Sequence, residues 1–200
     1  MRDSRRGLFR SRCNPKAAAK PRLLFLYGPP AVGKLTVARA VEARLGFRVL
    51  HNHVTIDAVA QVLPFGSPAF WRIVGGLRRD LVEAAAREGV DLVYTFVYAP
   101  GDEPDIDRVA GAFEGAGGSV TFVRLTAPRN ELLRRVVEPG RRMHGKIGDV
   151  ATLERILSEH DVFAAVPGRE STTLDLGSLS PDEAAQQIVD LLESQKSTTM

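Results

Sequence analysis

A single cysteine, Cys13, among 200 residues excludes a disulfide framework and leaves no thiolate cluster for a metal. A reducing, cytoplasmic setting is expected on that ground. Long apolar runs are missing too. Stretches such as Leu23–Tyr27 fall far short of the roughly 20 residues a helix needs to cross a bilayer, so no membrane partner is expected. Histidine is scarce, and the four present (His51, His53, His144 and His160) have no spacing that ties them into a metal site. No internal repeat is found. A chain of this length that is 44% hydrophobic can bury one substantial core, so one domain is expected.

Acidic residues are nearly absent from the N-terminus. Residues 1–22 hold eight of the 27 Lys and Arg and one of the 24 acids, which leaves the rest of the chain at a formal charge of −4. The basic pI of about 9.3 therefore belongs to the tail. Pro15, Pro21 and the lack of an apolar period predict a disordered basic arm over 1–21. Nucleic acid is not expected as a partner apart from this arm.

What is present centres on Gly28-Pro29-Pro30-Ala31-Val32-Gly33-Lys34-Leu35-Thr36, between an apolar run (Leu23–Tyr27) and a helical stretch (Val37–Leu45). The spacing G-x-x-x-x-G-K between a strand and a helix is a phosphate cradle. Successive backbone amides line an anion site, and the following helix turns its positive end to the same point. Gly28 and Gly33 let the backbone approach phosphate closely, and Lys34 brings an ammonium to the outer phosphates of a nucleoside triphosphate. The residue after the lysine is Leu35, and the hydroxyl comes one place later, at Thr36. Thr36 is the candidate metal contact; the G-K-x-T order resembles that of adenylate-kinase-like enzymes, which implies Mg²⁺ held largely through water.

Apolar periodicity predicts strands at 22–27, 47–52, 90–98, 119–125 and 172–176. Helices are predicted at about 33–45, 55–63, 69–88, 104–116, 128–137 and 150–160, with a last one opening at the capping box Ser180-Pro181-Asp182-Glu183. On the long helix, Phe70, Ile73, Val74, Leu77, Leu81 and Ala84 form the expected core face. Residues 22–193 make one domain, a lid spans about 134–148, and 194–200 form a flexible tail. Alternating strands and helices give an α/β fold, a parallel sheet with helices on both faces. Ligands sit beyond the carboxyl ends of such strands.

Several residues there could carry chemistry. Beyond the second strand lie His51, His53 and Asp57. The letters His-Asn-His resemble those of a nuclease motif, but three adjacent residues cannot build its metal-bound unit. The cradle resembles that of small P-loop kinases, in which the end of this strand and the next helix hold the phosphate acceptor. On that resemblance Asp57 is the candidate to accept a proton from an attacking hydroxyl, to orient it or to help anchor hydrated Mg²⁺, with His51 and His53 beside the acceptor. Arg72 and Arg79 are seven apart on one helical face and could hold an anionic group of the acceptor. Tyr98 ends the third strand. Arg134, Arg135, Arg141 and Arg142, with Lys146, crowd a region ending in a Gly-rich loop. Like charges so packed repel unless something negative lies among them, and phosphoryl transfer develops such charge.

The cradle, the lid arginines and the five-strand alternation resemble the nucleotide-and-nucleoside-kinase group of P-loop proteins. The similar branches are shikimate-kinase-like, gluconate-kinase-like and chloramphenicol-phosphotransferase-like. The resemblance implies a three-layer P-loop NTPase fold with strand order 2-3-1-4-5, and ATP with Mg²⁺ as donor. It places adenine between Arg134 or Arg135 and the loop Gly177-Ser178-Leu179-Ser180. His51 and His53 stand where shikimate kinases carry an acidic residue, which argues against shikimate itself. The expected activity is transfer of the ATP γ-phosphate to a hydroxyl of a small polar molecule by a monomer or homodimer. The alternatives are a nucleoside monophosphate kinase and a non-catalytic ATP-binding or resistance module.

Overall fold

The computed structural model describes residues 20–138 and 147–198. Most of the expected tail, and lid positions 139–146 with Arg141 and Arg142, lie outside the described residues. The elements run β1 (Arg22–Tyr27), α1 (Lys34–Leu45), β2 (Arg48–Leu50), α2 (Asn52–Ala60), α3 (Pro68–Arg87) and β3 (Leu92–Phe96). They continue with α4 (Glu103–Gly115), β4 (Ser119–Thr126), α5 (Arg129–Val136), α6 (Val150–Glu159), β5 (Ser171–Asp175) and α7 (Pro181–Thr198).

The five strands form one sheet in the order β2-β3-β1-β4-β5, and every neighbouring pair is parallel. This is the architecture expected from the alternation and the resemblance. Strand β1 lies at the centre, where Leu24 stands between Val93 and Thr121. Its side chains alternate between two cores, as a strand's period of two requires. Leu24 and Leu26 join one apolar cluster with Val37 and Val41 of α1, Leu132 of α5 and Ile188 of α7. Leu23, Phe25 and Tyr27 join the other, with Val82 of α3 and Ile106 and Phe113 of α4. Helices thus cover both faces, and all of β1 after Arg22 is buried. A third, smaller cluster (Val59, Phe70 and Val74) holds α2 against α3.

Local signals set the element ends. Ser67 caps α3 by accepting from the Phe70 amide at 3.2 Å, with Pro68 in the first turn. At α7 the capping box closes both ways: Glu183 N donates to Ser180 Oγ at 3.2 Å, and Ser180 N donates to Glu183 Oε2 at 2.8 Å. Asp91 accepts from the amide and guanidinium of Arg22, which joins the starts of β1 and β3. It therefore lies at the sheet end opposite the cradle.

Three expectations need correction. Helix α2 begins at Asn52 rather than Thr55. The buried face of α3 is Phe70, Val74, Arg78, Val82 and Ala86, while Ile73 and Leu81 are each 41% exposed. Helix α7 continues to Thr198, past the end expected at 193. No helix among the described residues is long and apolar enough to cross a membrane.

Candidate active site

The loop after β1 opens where the sheet divides, with β3 on one side of β1 and β4 on the other. Gly28 holds φ at 145°, and a Cβ there would lie 2.1 Å from the Leu125 carbonyl oxygen. Only glycine lets the loop pass that close to β4. Gly33, at φ 109°, caps α1 with no side-chain hydrogen bond, and the first turn of α1 has no acidic residue. Ala31 has φ of 66°, the one non-glycine residue at positive φ among those described. Strain of this kind gathers at ligand-holding loops. The first-turn amides of α1 thus face the loop with no side chain capping them, which is the donor set a phosphate takes up. Lys34 arches back so that Nζ donates to the carbonyls of Gly28 (2.8 Å) and Pro29 (2.7 Å). Pro29, Pro30, Ala31 and Val32 are buried, Leu35 is partly buried, and the Thr36 side chain is exposed beside them.

Two arginines expected at the nucleotide differ in surroundings. Arg135 is held on three sides: Nε donates to Glu131 Oε1 (2.8 Å), Nη1 to the Val32 carbonyl (3.1 Å) and Nη2 to the Leu176 carbonyl (2.8 Å). It ties α5 to the cradle and to the loop that carries Gly177 and Leu179. That loop is tight, since a Cβ on Gly177 would lie 2.5 Å from Pro128 Cδ. Arg134 is two-thirds exposed and forks onto Glu131 at 2.9 and 2.7 Å, with Glu138 at 3.7 Å. Glu131 is thus a negative group that relieves the crowding of like charges. The hydrogen bond from Arg134, and after it Arg135, brings the Glu131 carboxyl down to about 2.

Beyond β2, His51 precedes α2 without a side-chain cap, and His53 Nδ1 lies 3.8 Å from Asp57 Oδ1 one turn on. The structure brings these two together. Asp57 stands in the second turn of α2 and is half exposed. Arg72 is exposed on α3 with no ion pair among the described residues. Arg79 pairs with its neighbour Asp80 at 2.7 Å rather than with Glu83, which takes Arg87. Tyr98 is 1% exposed, and its hydroxyl donates to Glu103 Oε1 at 2.6 Å. Burial, followed by this bond, pushes the phenol upward. Tyr98 shapes the wall and presents almost no surface to a ligand.

Sequence reasoning missed Arg78. Its guanidinium is buried, with Nε donating to Thr55 Oγ1 (3.0 Å) and Nη2 to the Asn52 carbonyl (3.3 Å). Nη2 also makes a short contact with Asn52 Oδ1. Phe70, Val74, Val82 and Ala86 repeat every four residues with Arg78 in the gap, a place that hydrophobic periodicity does not assign to arginine. Asn52, whose Oδ1 meets Arg78, is the first residue of α2.

No protein-family model matches the chain, and no curated protein matches it. Solved structures do. A sugar kinase from a Janibacter species is 16% identical over 88% of this chain and 95% of its own, with a TM-score of 0.62. The APS kinase of Mycobacterium tuberculosis, in complex with AMPPNP and APS, is 20% identical over 88% of this chain and 99% of its own (TM-score 0.57). A shikimate kinase from Aquifex aeolicus is 16% identical over 87% and 98% (TM-score 0.51). At such identities these likenesses define a fold, that of the P-loop small-molecule kinases.

Proposed function

We propose that the chain is an ATP-dependent phosphotransferase that moves the γ-phosphate to a hydroxyl of a small polar molecule. The observation that carries this reading is the Gly28–Thr36 loop. It combines a backbone shape reserved for glycine, a helix start without a side-chain cap, and an ammonium poised over the loop. The APS kinase neighbour, crystallised with a nucleotide analogue and an acceptor, supports a donor and an acceptor meeting at the strand ends. In this reading the first-turn amides and Lys34 hold the β- and γ-phosphates. Arg135 and the Gly177–Leu179 loop flank the base, and Arg134, Arg141 and Arg142 neutralise charge on the transferring group. Asp57, oriented by His53, takes the proton of the attacking hydroxyl, while His51 and Arg72 contact the rest of the acceptor.

Among the described residues, no three His, Cys, Asp or Glu side chains gather to hold a metal. The residues fit a magnesium ion held mainly by phosphate oxygens and water, with the exposed Thr36 hydroxyl in reach. When bound, it supplies charge for the phosphate oxygens.

Arg72, exposed and without an ion pair among the described residues, also favours a second reading in which the acceptor is a nucleoside monophosphate. A phosphate acceptor needs cations more than a base. Asp57→Asn would then matter little and Arg72→Ala greatly, whereas with a hydroxyl acceptor Asp57→Asn would all but abolish transfer while ATP still binds. The test is to incubate the protein with Mg·ATP and fractionated metabolites and follow phosphate transfer by mass. A phosphorylated product, lost in Lys34→Ala, is expected. Bound ATP with no product from any fraction would reduce the chain to a binding module.

A further inference from the structure

Thr55, Arg78 and Thr95 are, tyrosines aside, the buried polar or charged side chains among the described residues, at 1%, 5% and 3% exposure. They come from α2, α3 and β3, and all three meet at Asn52. Arg78 donates to Asn52 and Thr55, the Thr55 hydroxyl donates to the Asn52 carbonyl (3.3 Å), and the Asn52 amide donates to Thr95 Oγ1 (3.2 Å). A buried guanidinium is costly unless well hydrogen-bonded, and an apolar side chain would fill the same place more cheaply. No carboxylate pairs with Arg78 among the described residues. What its fork provides is a fixed geometry for one backbone turn.

That turn is the first of α2. The helix has nine residues, no side-chain cap at its start, and only Thr55 and Val59 fully buried. Helices this short have little stability of their own. We propose that Arg78 is a positioning residue for phosphoryl transfer: it fixes the start of α2 against the end of β3 and so sets where His53 and Asp57 stand. The proposal rests on the phosphotransferase reading for its consequence, though not for its geometry. Arg78 does not touch the acceptor itself. The space it lines between α3 and α4, with Gly75, Tyr94, Asp105 and Arg108, is about 10 Å³, no larger than one water.

The test uses the full chain and the variants Arg78→Lys and Thr55→Val. Lysine keeps the charge and loses the fork. Amide hydrogen exchange, Mg·ADP affinity and kinetics with the metabolite fraction that accepts phosphate are measured on each. In Arg78→Lys, exchange over 52–60 should accelerate about tenfold or more while the central strands keep their protection. Misplacement of the acceptor groups should lower kcat/KM for the acceptor about 100-fold, with Mg·ADP affinity within about twofold of the parent. Thr55→Val should move both quantities the same way by less, and it decides the matter if Arg78→Lys does not fold. Unchanged exchange and unchanged acceptor kcat/KM would overturn the proposal. So would a loss spread equally over Mg·ADP affinity and the whole fold. If the parent chain phosphorylates no fraction, the phosphotransferase reading falls, and the exchange pattern alone decides whether Arg78 holds α2.

Discussion

The Gly28–Thr36 loop offers a ligand consecutive backbone amides and one lysine, all from nine neighbouring residues. The proposed acceptor side draws Asn52, Thr55, Arg78 and Thr95 from three elements that are up to 43 positions apart in sequence. The first region works through main-chain shape, so its identity is written in glycine positions. The second works through side chains held by other side chains, and its surface residues His53 and Asp57 are only as well placed as the buried polar groups beneath them. One would expect the proposed donor site, Lys34 apart, to tolerate side-chain changes and resist backbone ones, and the proposed acceptor site to do the reverse.

Four substitutions press on that contrast. Gly28→Ala should do the most damage. It sets a Cβ 2.1 Å from the Leu125 carbonyl at a φ of 145°, and strain plus overpacking should cost roughly 3–5 kcal/mol by urea unfolding. A loss below about 1 kcal/mol would mean that β4 and the cradle are less tightly joined than the geometry requires. Asp57→Asn comes next. It should lower transfer to a hydroxyl acceptor about 100-fold with Mg·ADP binding unchanged, as a side-chain-built site demands. Ser180→Ala removes half of the capping box beside the Gly177–Leu179 loop. It should cost about 1 kcal/mol by urea unfolding.

Glu131→Gln should have the smallest effect, a slight loss of stability at neutral pH that disappears in acid. The folded carboxyl sits at about 2, below its ordinary 4.5, because Arg134 and then Arg135 bond it. Its stabilisation is therefore complete above about 4.5 and is lost as pH falls toward 2. Melting temperature against pH should fall less steeply across that window in the glutamine variant than in the parent.

The same contrast decides what could be read in the sequence. The boundaries of β1 and α1 were legible because the cradle is local, and glycine spacing with an apolar strand before it leaves few alternatives. The capping box at Ser180 was legible for the same reason. Strand order came from the resemblance rather than from periodicity, since apolar runs do not say which strands are neighbours. Arg78 was not legible as a core residue because hydrophobic periodicity discards arginine. The period therefore drifted to Ile73 and Leu81, which the structure leaves exposed. The contact between Asn52 and an arginine 26 positions away was not legible either, since nothing adjacent to Asn52 records it.

Titration of the purified chain with Mg·ATP, beside Lys34→Ala, tests the central claim most directly. The account predicts saturable binding by the parent, weakened at least tenfold when the ammonium is removed, in line with the roughly 1.5–3 kcal/mol of a charged hydrogen bond. Equal affinity in the two proteins, or no binding by the parent, would contradict it.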